Sequence, residues 1–437
     1  MALGGGSFVT TDKILPGAYI NFVSAARAKA AQDRGISAIP FELDWGLENE
    51  IFELTADDFA SNALTILGYN ADHAKMIRFR EVFKKGKTLL VYRLNGDGAK
   101  ASNTFATAKY GGIRGNDIKT VITANVDVPA NFDVKTLLDD VVVDTQTVAA
   151  ATGLADNSFV TFKTGATLAA TAGLALTGGT NGTAVTGTNY TAYLAKLESY
   201  DFNILGCPGA DDTIAQLFDN FTKRLRDQLG VKFQLVRKVS TTVPDYEGVI
   251  VVPNSVTNAG ASADALIYWT VGAESACPIN QSLTNATYDG EYTVNVDYTQ
   301  TQLEDFIKAG KLAFHRVGAE THVLTDINSL TTFTTAKNSD FSGNQTIRVL
   351  DQSANDIAAL FNSKYLGKIV NDDAGRVSFA SDVVTYNQSL EKKGAIESFD
   401  SKTVLVSQGE SKKSVVCDYA IQPTNCMEQL YATVVVA

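Results

Sequence analysis

The sequence is poor in the residues that carry most chemistry: among 437 residues there are 3 histidines, 2 tryptophans and 4 cysteines. Cys207, Cys277, Cys417 and Cys426 form no Cys-x-x-Cys pair, which excludes a zinc knuckle or a disulfide scaffold and leaves free, buried thiols as the expectation. No window holds the roughly twenty apolar residues of a membrane span, so membrane insertion is not expected. The opening Met-Ala-Leu-Gly-Gly-Gly-Ser lacks a basic region followed by an apolar run, so no secretory signal is expected and synthesis is placed in a reducing cytosol. Basic charge is also scarce, with Lys and Arg totalling 37 against 48 Asp and Glu and a formal net charge of -11. A chain without basic surplus makes a poor phosphate-backbone binder, so no direct nucleic-acid partner is expected.

The few candidate catalytic groups stand in no catalytic pattern. His73 sits at a helix start, and His315 and His322 flank a glycine-containing turn, none within an HExxH, HxE or triad-like context. The glycine clusters at 111–116 and 178–182 lack the Gly-Lys-Ser/Thr ending of a phosphate loop, and no Gly-x-Ser-x-Gly elbow occurs. Asp139-Asp140, Asp211-Asp212 and Asp372-Asp373 lie at expected turns or caps, and Lys84-Lys85-Gly86-Lys87 and Lys412-Lys413 on solvated faces. No catalytic residue, metal site or cofactor is expected.

What is present is foldable material, at 45% hydrophobic and 9% aromatic residues, in a length that suits about three domains of ~150 residues. From Ala38 to Leu94 an α/β rhythm runs through Ile51–Leu54 as a strand, a helix on Met76, Phe79 and Phe83, and Thr88–Leu94 as a buried strand. From about Asn95 short Val/Thr/Phe runs such as Lys119–Thr123 and Ser158–Phe162 alternate with Gly, Asn and Asp, as in a small all-β unit. The uncharged Ala/Gly/Thr tract between Lys163 and Lys196 predicts a flexible or surface-exposed connection, with a boundary near Gly178-Gly179.

The α/β rhythm then resumes with a helix through Leu194 and Leu197, a strand at Phe202–Leu205 and a long helix capped at Asp211 or Asp212 and stopped by Gly230. Strands follow at Val231–Leu235 and Gly248–Pro253, the latter a continuous apolar run of the kind buried on both faces of a parallel sheet. Resumption on both sides of the β-rich stretch predicts that this stretch is an insertion into one α/β domain. From Asn338 a last unit is expected, with helices on Leu350–Tyr365 and Ser381–Gly394 and strands at Thr403–Val406 and Ser414–Ala420.

Two β-prone segments lie outside these units, one near each end. Ala18, Tyr19, Ile20, Asn21, Phe22 and Val23 form one; Gln429, Leu430, Tyr431, Ala432, Thr433, Val434 and Val435 belong to the other. Each either pairs within its own chain or adds a strand to a neighbouring subunit's sheet edge, and two such arms per subunit produce an open polymer.

Several strings resemble contractile tail sheath proteins of phages, defective prophages and phage-tail-like bacteriocins from Gram-positive bacteria. They are Thr10–Phe22 near the start, Tyr110-Gly111-Gly112-Ile113-Arg114-Gly115-Asn116 (the family's Tyr-Pro-Gly-x-Arg-Gly-Asn segment with Gly111 in place of Pro) and Leu176–Gly182. The most specific is Asp326-Ile327-Asn328-Ser329-Leu330-Thr331-Thr332-Phe333-Thr334, followed by Lys337-Asn338 and Arg348-Val349-Leu350-Asp351.

The resemblance implies an α+β, α/β multidomain chain with a subtilisin-like main domain lacking the triad, an inserted β-rich protruding domain, a C-terminal α+β domain and extended β-arms. The implied limits are 1–24 for the N-terminal arm, 25–97 and 186–335 for the main domain, 98–185 for the insertion, 336–428 for the inner domain and 429–437 for the C-terminal arm. It further implies stacked hexameric rings around a tail tube protein, capped by baseplate and terminator or collar proteins. Contraction would drive the tube into a cell envelope. The particle would assemble in the bacterial host cytoplasm and leave by lysis. Both arms would join a sheet made by Val404, Val406, Val415, Val416, Asp418 and Ala420, and Lys364 and Lys368 would face acidic groups of the tube. Two other classes remain open at this point: an enzyme with a concave titratable site, and a secreted or surface adhesin acting through residues 98–185.

Overall fold

The structure, a computed structural model, describes residues 34–209 and 211–436, so the N-terminal segment Ala18–Val23 lies outside the described residues. The chain divides into a large unit, 34–351 with 393–397 and 423–437, and a small unit, 352–392 with 398–422.

The large unit starts with β1 (Ile36–Phe41), β2 (Ile51–Thr55), α1 (Ala56–Leu67), α2 (Ile77–Phe83) and β3 (Thr88–Arg93). Its chain then leaves for a β-rich excursion of β4 (Ala106–Ala108), β5 (Ile118–Ala124), β6 (Phe132–Leu138), β7 (Val141–Val148), β8 (Val160–Phe162) and β9 (Thr171–Ala175). It returns through α3 (Gly187–Leu197), β10 (Ile204–Cys207), α4 (Asp212–Lys223), β11 (Gln234–Lys238), β12 (Val249–Val252), α5 (Ala265–Ala276), α6 (Gln300–Lys308) and the hairpin β13 (Phe314–Val317) and β14 (Glu320–Val323). Strands from before and after the excursion share one six-stranded sheet, ordered β12-β11-β10-β1-β3-β2, in which only β2 runs antiparallel to its neighbour.

Both faces of this sheet are covered, as a parallel sheet requires. Ile39, Phe41, Val91, Ile204, Val236 and Ile250 pack in a core shared with Phe79 of α2 and Leu266 to Trp269 of α5. Ala38, Leu90, Leu205, Leu235 and Val249 pack in a second core with Tyr193 and Leu197 of α3 and Phe218 and Phe221 of α4. The sequence patterning misses β1 and α5. Strand β1 carries Pro40, which removes a backbone donor and discourages a strand assignment, yet it lies near the strand's end. Helix α5 is buried all round and so shows no amphipathic period. Gly272 lets α2 approach it, since a Cβ there would lie 2.2 Å from the Val82 carbonyl oxygen.

The excursion forms a four-stranded antiparallel sheet, β7-β6-β5-β9, and a short β4–β8 pair. Ile118, Ile122, Val134, Leu138, Phe159 and Leu176 fill its core. Asp139 and Asp140, both at positive φ (52° and 64°), make the tight turn between β6 and β7. The tract from Lys163 to Lys196 is surface-exposed along much of its length and runs into the expected helix, α3, but it also supplies an unexpected edge strand, β9. Its Ala and Gly suffice because β9 is exposed on most of its length and needs backbone pairing more than burial.

Two family-like strings meet where the excursion joins the sheet. Asn116 and Gly179 exchange hydrogen bonds at 2.8 Å in both directions. A Cβ at Gly112, which has φ 135°, would lie 2.0 Å from the Asp44 carbonyl oxygen. The buried Arg114 guanidinium donates to the Gly68 carbonyl at 2.6 Å, to Asp117 at 2.9 Å and to Asp139 at 2.8 and 2.5 Å, and lies 4.4 Å from the Tyr69 ring centre. Asp139 is thus a partner of Arg114, whose hydrogen bond holds its carboxyl below the usual range, and not merely a solvated turn acid.

The other two strings also meet. Arg348 donates to Asp326 at 2.6 Å and to Glu274 of α5 at 2.6 Å, and Asn344 donates to Asp326 at 2.8 Å and to Glu274 at 3.3 Å. Burial, together with the neighbouring Asp326 charge, pushes the Glu274 carboxyl far above its usual range. Asp326 is equally buried, but the Arg348 charge and several hydrogen bonds outweigh desolvation and hold it low. Arg348 thus bridges two buried carboxyls, one held low and one pushed up, while a second guanidinium, that of Arg34, donates to the Glu274 backbone carbonyl at 3.1 Å.

Helix α7 (Asn344–Leu360) begins in the large unit, and the division falls between Asp351 and Gln352. The small unit continues with a π-turn at Phe361–Tyr365 and α8 (Asp373–Lys392). Helix α8 starts well before the expected Ser381, because Asp372 caps the Gly375 N–H at 2.8 Å and the glycine is accommodated in the first turn. After β15 (Ile396–Glu397), which belongs to the large unit, β16 (Leu405–Gln408) and β17 (Val415–Asp418) form an antiparallel pair.

Candidate assembly site

The small unit presents the sheet expected to accept arms. Val404, Val406, Val415, Cys417 and Tyr419 pack toward Leu360, Tyr365, Phe379 and Val383 of its helical core. The alternate residues Leu405 and Val416 are 63% and 43% exposed on the other face. Among the described residues β16 and β17 pair only with each other, so each keeps an outer edge with no strand beside it. The Gly409 N–H bonds to the Ser414 carbonyl at 2.9 Å, and alternation along the ladder then turns the backbone groups of Val415 and Cys417 outward on β17 and those of Val406 and Gln408 outward on β16. Val404 precedes β16 and is buried; Asp418 ends β17 exposed; the Ala420 N–H, beyond it, already donates to Thr403 Oγ1 at 3.4 Å.

The C-terminal segment is apolar and exposed. Gln429–Val436 carries no strand, and Leu430, Tyr431, Val434, Val435 and Val436 are 83–92% exposed. Among the described residues the expected terminal strand is not formed, and none of the strands pairs with this segment. The two candidate tube-facing lysines are engaged locally: Lys364 Nζ donates to Asp382 at 2.5 Å, a hydrogen bond that raises its pKa, and Lys368 Nζ donates to the Ser363 carbonyl at 2.6 Å. Sequence patterning passed over an apolar turn between them and α8, where Leu366, Ile369 and Val370 are 48–73% exposed. It also passed over Glu428, an acid at the foot of the terminal segment, whose bonding to distant threonines leaves no local sequence signal.

The chemistry-bearing groups are placed structurally. His73 caps a one-turn helix by accepting from the Lys75 N–H at 3.2 Å. His315 and His322 are directly opposed across the β13–β14 hairpin, with His322 Nδ1 2.8 Å from the Asn285 carbonyl oxygen and Nε2 3.2 Å from Glu320. Cys207 and Cys277 are buried and burial raises both thiols, but, contrary to expectation, Cys417 on β17 is only half-buried and Cys426, on a surface strap, is exposed. A cleft of about 580 Å³ opens at the carboxyl end of β1, lined among others by Glu42, Arg78, Ser262 and Tyr292. Ser262 Oγ donates to Asp264, and neither histidine nor cysteine is among the residues lining the cleft. Among the described residues no group of three or more His, Cys, Asp or Glu could hold a metal, and no helix is long and apolar enough to cross a membrane.

Comparison with known proteins decides the family. The chain matches the Gp18 domain III N-terminal region of tail sheath proteins at 34–94, the phage tail sheath beta-sandwich domain at 95–181, the central domain at 183–329 and the C-terminal domain at 336–437. The chain belongs to the phage tail sheath family. Relatives of this sheath protein include the phage-like element PBSX protein XkdK of Bacillus subtilis strain 168, 32% identical over 99% of both chains. A sheath tail protein from Desulfitobacterium hafniense has a similar structure, with TM-score 0.81, 37% identity and coverage of 94% of this chain and 98% of that one. The helical sheath of the anti-feeding prophage in its contracted state shares the fold at TM-score 0.57 and 13% identity, over 97% and 99% of the two chains. The protein is thus a mixed α+β, multidomain, structural component of a phage tail or tail-like particle.

Proposed function

We propose that this sheath protein is the repeating subunit of a contractile sheath, in which six copies close a ring and rings stack helically around a tail tube. The observation carrying this reading is the match, among the described residues, between an apolar terminal segment that pairs with no strand and a two-stranded sheet with two open edges. Gln429–Val435 of one copy adds a strand to β16–β17 of a second, and Ala18–Val23 of another copy takes the remaining edge. Backbone hydrogen bonds supply affinity and alternate side chains supply fit. Donor and acceptor are different surfaces, so the contact is heterologous and propagates.

In this reading the limits 1–24, 25–97 with 186–335, 98–185, 336–428 and 429–437 mark arms, main domain, protruding domain and inner domain. The parallel sheet with its buried α5 supports a subtilisin-like main domain, and a cleft whose lining holds neither histidine nor cysteine offers no Ser-His or Cys-His pair for hydrolysis. The inner domain meets the tube protein, with Lys364 and Lys368 at that face, while baseplate and terminator or collar proteins hold the two ends. Contraction is a rigid-body rearrangement of subunits that drives the tube through a target envelope. The particle assembles in the host cytoplasm and is released by lysis.

The test is negative-stain electron microscopy of the full chain beside a variant lacking residues 429–436. Hollow tubes of uniform width from the first and folded, unpolymerised protein from the second are expected. Tubes from the truncated chain would overturn the arm-exchange reading.

A further inference from the structure

The terminal segment leaves the body of the protein from a bonded strap. The Thr424 N–H donates to the Ala395 carbonyl at 3.0 Å and its hydroxyl to the Gly394 carbonyl at 2.7 Å. Thr346 Oγ1 donates to Asn425 Oδ1 at 3.2 Å, and the Cys426 N–H donates to Gln345 Oε1 at 3.1 Å. The last anchored residue is Glu428, whose two carboxylate oxygens accept from Thr284 Oγ1 at 2.7 Å and Thr325 Oγ1 at 3.0 Å. Every one of these partners belongs to the large unit. The stretch on either side of Glu428 is open to solvent, with Met427 102% and Leu430 89% exposed, so its two threonine contacts are what tie it down.

We infer that Glu428 is the positioning residue of the C-terminal segment, a two-oxygen clamp that fixes where residues 429–436 depart and passes tension from a second copy into the large unit. The inference rests on the reading that this segment pairs with a second copy. A carboxylate held by two hydroxyls from separate loops constrains direction as well as position, which a single hydrogen bond would not. The loops it grips are themselves tied inward. Thr284 Oγ1 also accepts the Asp326 N–H at 2.9 Å, the Leu283 N–H donates to Asp326 Oδ2 at 2.9 Å, and Asp326 is held by Arg348. Tension on the segment thus meets a polar chain ending in the buried ion cluster, a well-packed and discretely bonded part of the fold. The segment would link this copy's large unit to the acceptor sheet of the next copy without passing through the junction inside α7.

The experiment compares the full chain with Glu428→Ala, Glu428→Gln and the variant lacking 429–436. Glutamine is the rescue, since its amide accepts from one threonine hydroxyl and donates to the other, which can rotate to accept. All four proteins are expected to fold with the same melting temperature. In Glu428→Ala, amide exchange within residues 423–428 should rise by about tenfold, and tubes should form with irregular width and shortened length. Glu428→Gln should restore both. Unaltered tubes from Glu428→Ala, with or without faster exchange, would make Glu428 an ordinary surface acid and overturn the inference while leaving arm exchange standing. Tubes from the truncated chain, or none from the unaltered one, would instead remove the reading beneath it.

Discussion

Asp326 and Arg348 lie 2.6 Å apart with side-chain exposures of 1% and 0%, and they open the two strings most specific to this family. Their contact explains why those strings occur together: one supplies a buried anion on an irregular segment, the other the cation on the first turns of α7 that makes its burial tolerable. Glu274 completes the site, its carboxyl pushed up by burial and by the Asp326 charge.

Removing the cation leaves a buried carboxylate unpaired. Arg348→Ala should lose about 3–5 kcal/mol of stability, read as a lower urea midpoint at neutral pH. A loss below about 1 kcal/mol would mean that water enters the cluster and solvates Asp326.

Glu274 gives a pH dependence of defined sign. Its folded-state pKa is raised far above the ordinary 4.5, so the folded state holds a proton the unfolded state releases. That contribution is fully present below 4.5 and is lost as pH rises through the folded-state pKa. Glu274→Gln keeps the shape of the neutral acid and should match the wild type in mild acid while outlasting it at alkaline pH. Melting curves of both proteins across that range check it, and parallel curves would refute the raised pKa.

His315 carries a weaker dependence of opposite sense. Burial and the facing His322 lower its pKa below 6.5, so stability present above that value should fall as pH drops below it. His315→Asn should flatten the acid side of the melting profile; an unchanged slope would place the acid sensitivity elsewhere.

Gly112 sits at φ 135° against the Asp44 carbonyl, where a Cβ would be 2.0 Å from oxygen. Gly112→Ala should cost more than about 2 kcal/mol and loosen the junction between the β-rich excursion and the main sheet. Limited proteolysis near residues 95–115 and 178–182 would report the loosening, and an unchanged digestion pattern would show that the backbone can shift aside.

Val434 is 83% exposed, so a charge there has no folded-state packing to disrupt. Val434→Asp should leave the melting temperature unaltered yet abolish tubes, since a strand packed on an apolar face cannot bury an unpaired carboxylate. Normal tubes from this variant would place residue 434 outside the interface.

The amino-acid sequence by itself determined what alternation, capping and turn chemistry can encode locally. Ile214, Phe218, Phe221 and Leu225 mark α4 and the turn that follows it, stopped by Gly230 at φ 74°. Thr88–Leu94 and Gly248–Pro253 mark β3 and β12 as apolar runs. The poverty in histidine and paired cysteine likewise argued against catalysis, and the family strings named the protein's class. Only the tertiary structure decided the rest. Pro40 could belong to β1 because its neighbours Tyr92 and Val91 of β3 hold the strand in register. Helix α5 could be uniformly apolar because protein covers it on every side. The Ala/Gly/Thr tract became β9 because β5 offered it an edge. Glu428, Thr284 and Thr325 meet through contacts spanning more than a hundred positions, and such contacts leave no period or spacing in a linear chain. Among the described residues the terminal strand stayed unformed for the same reason in reverse: its β-propensity is local, but a strand exists only where an edge receives it.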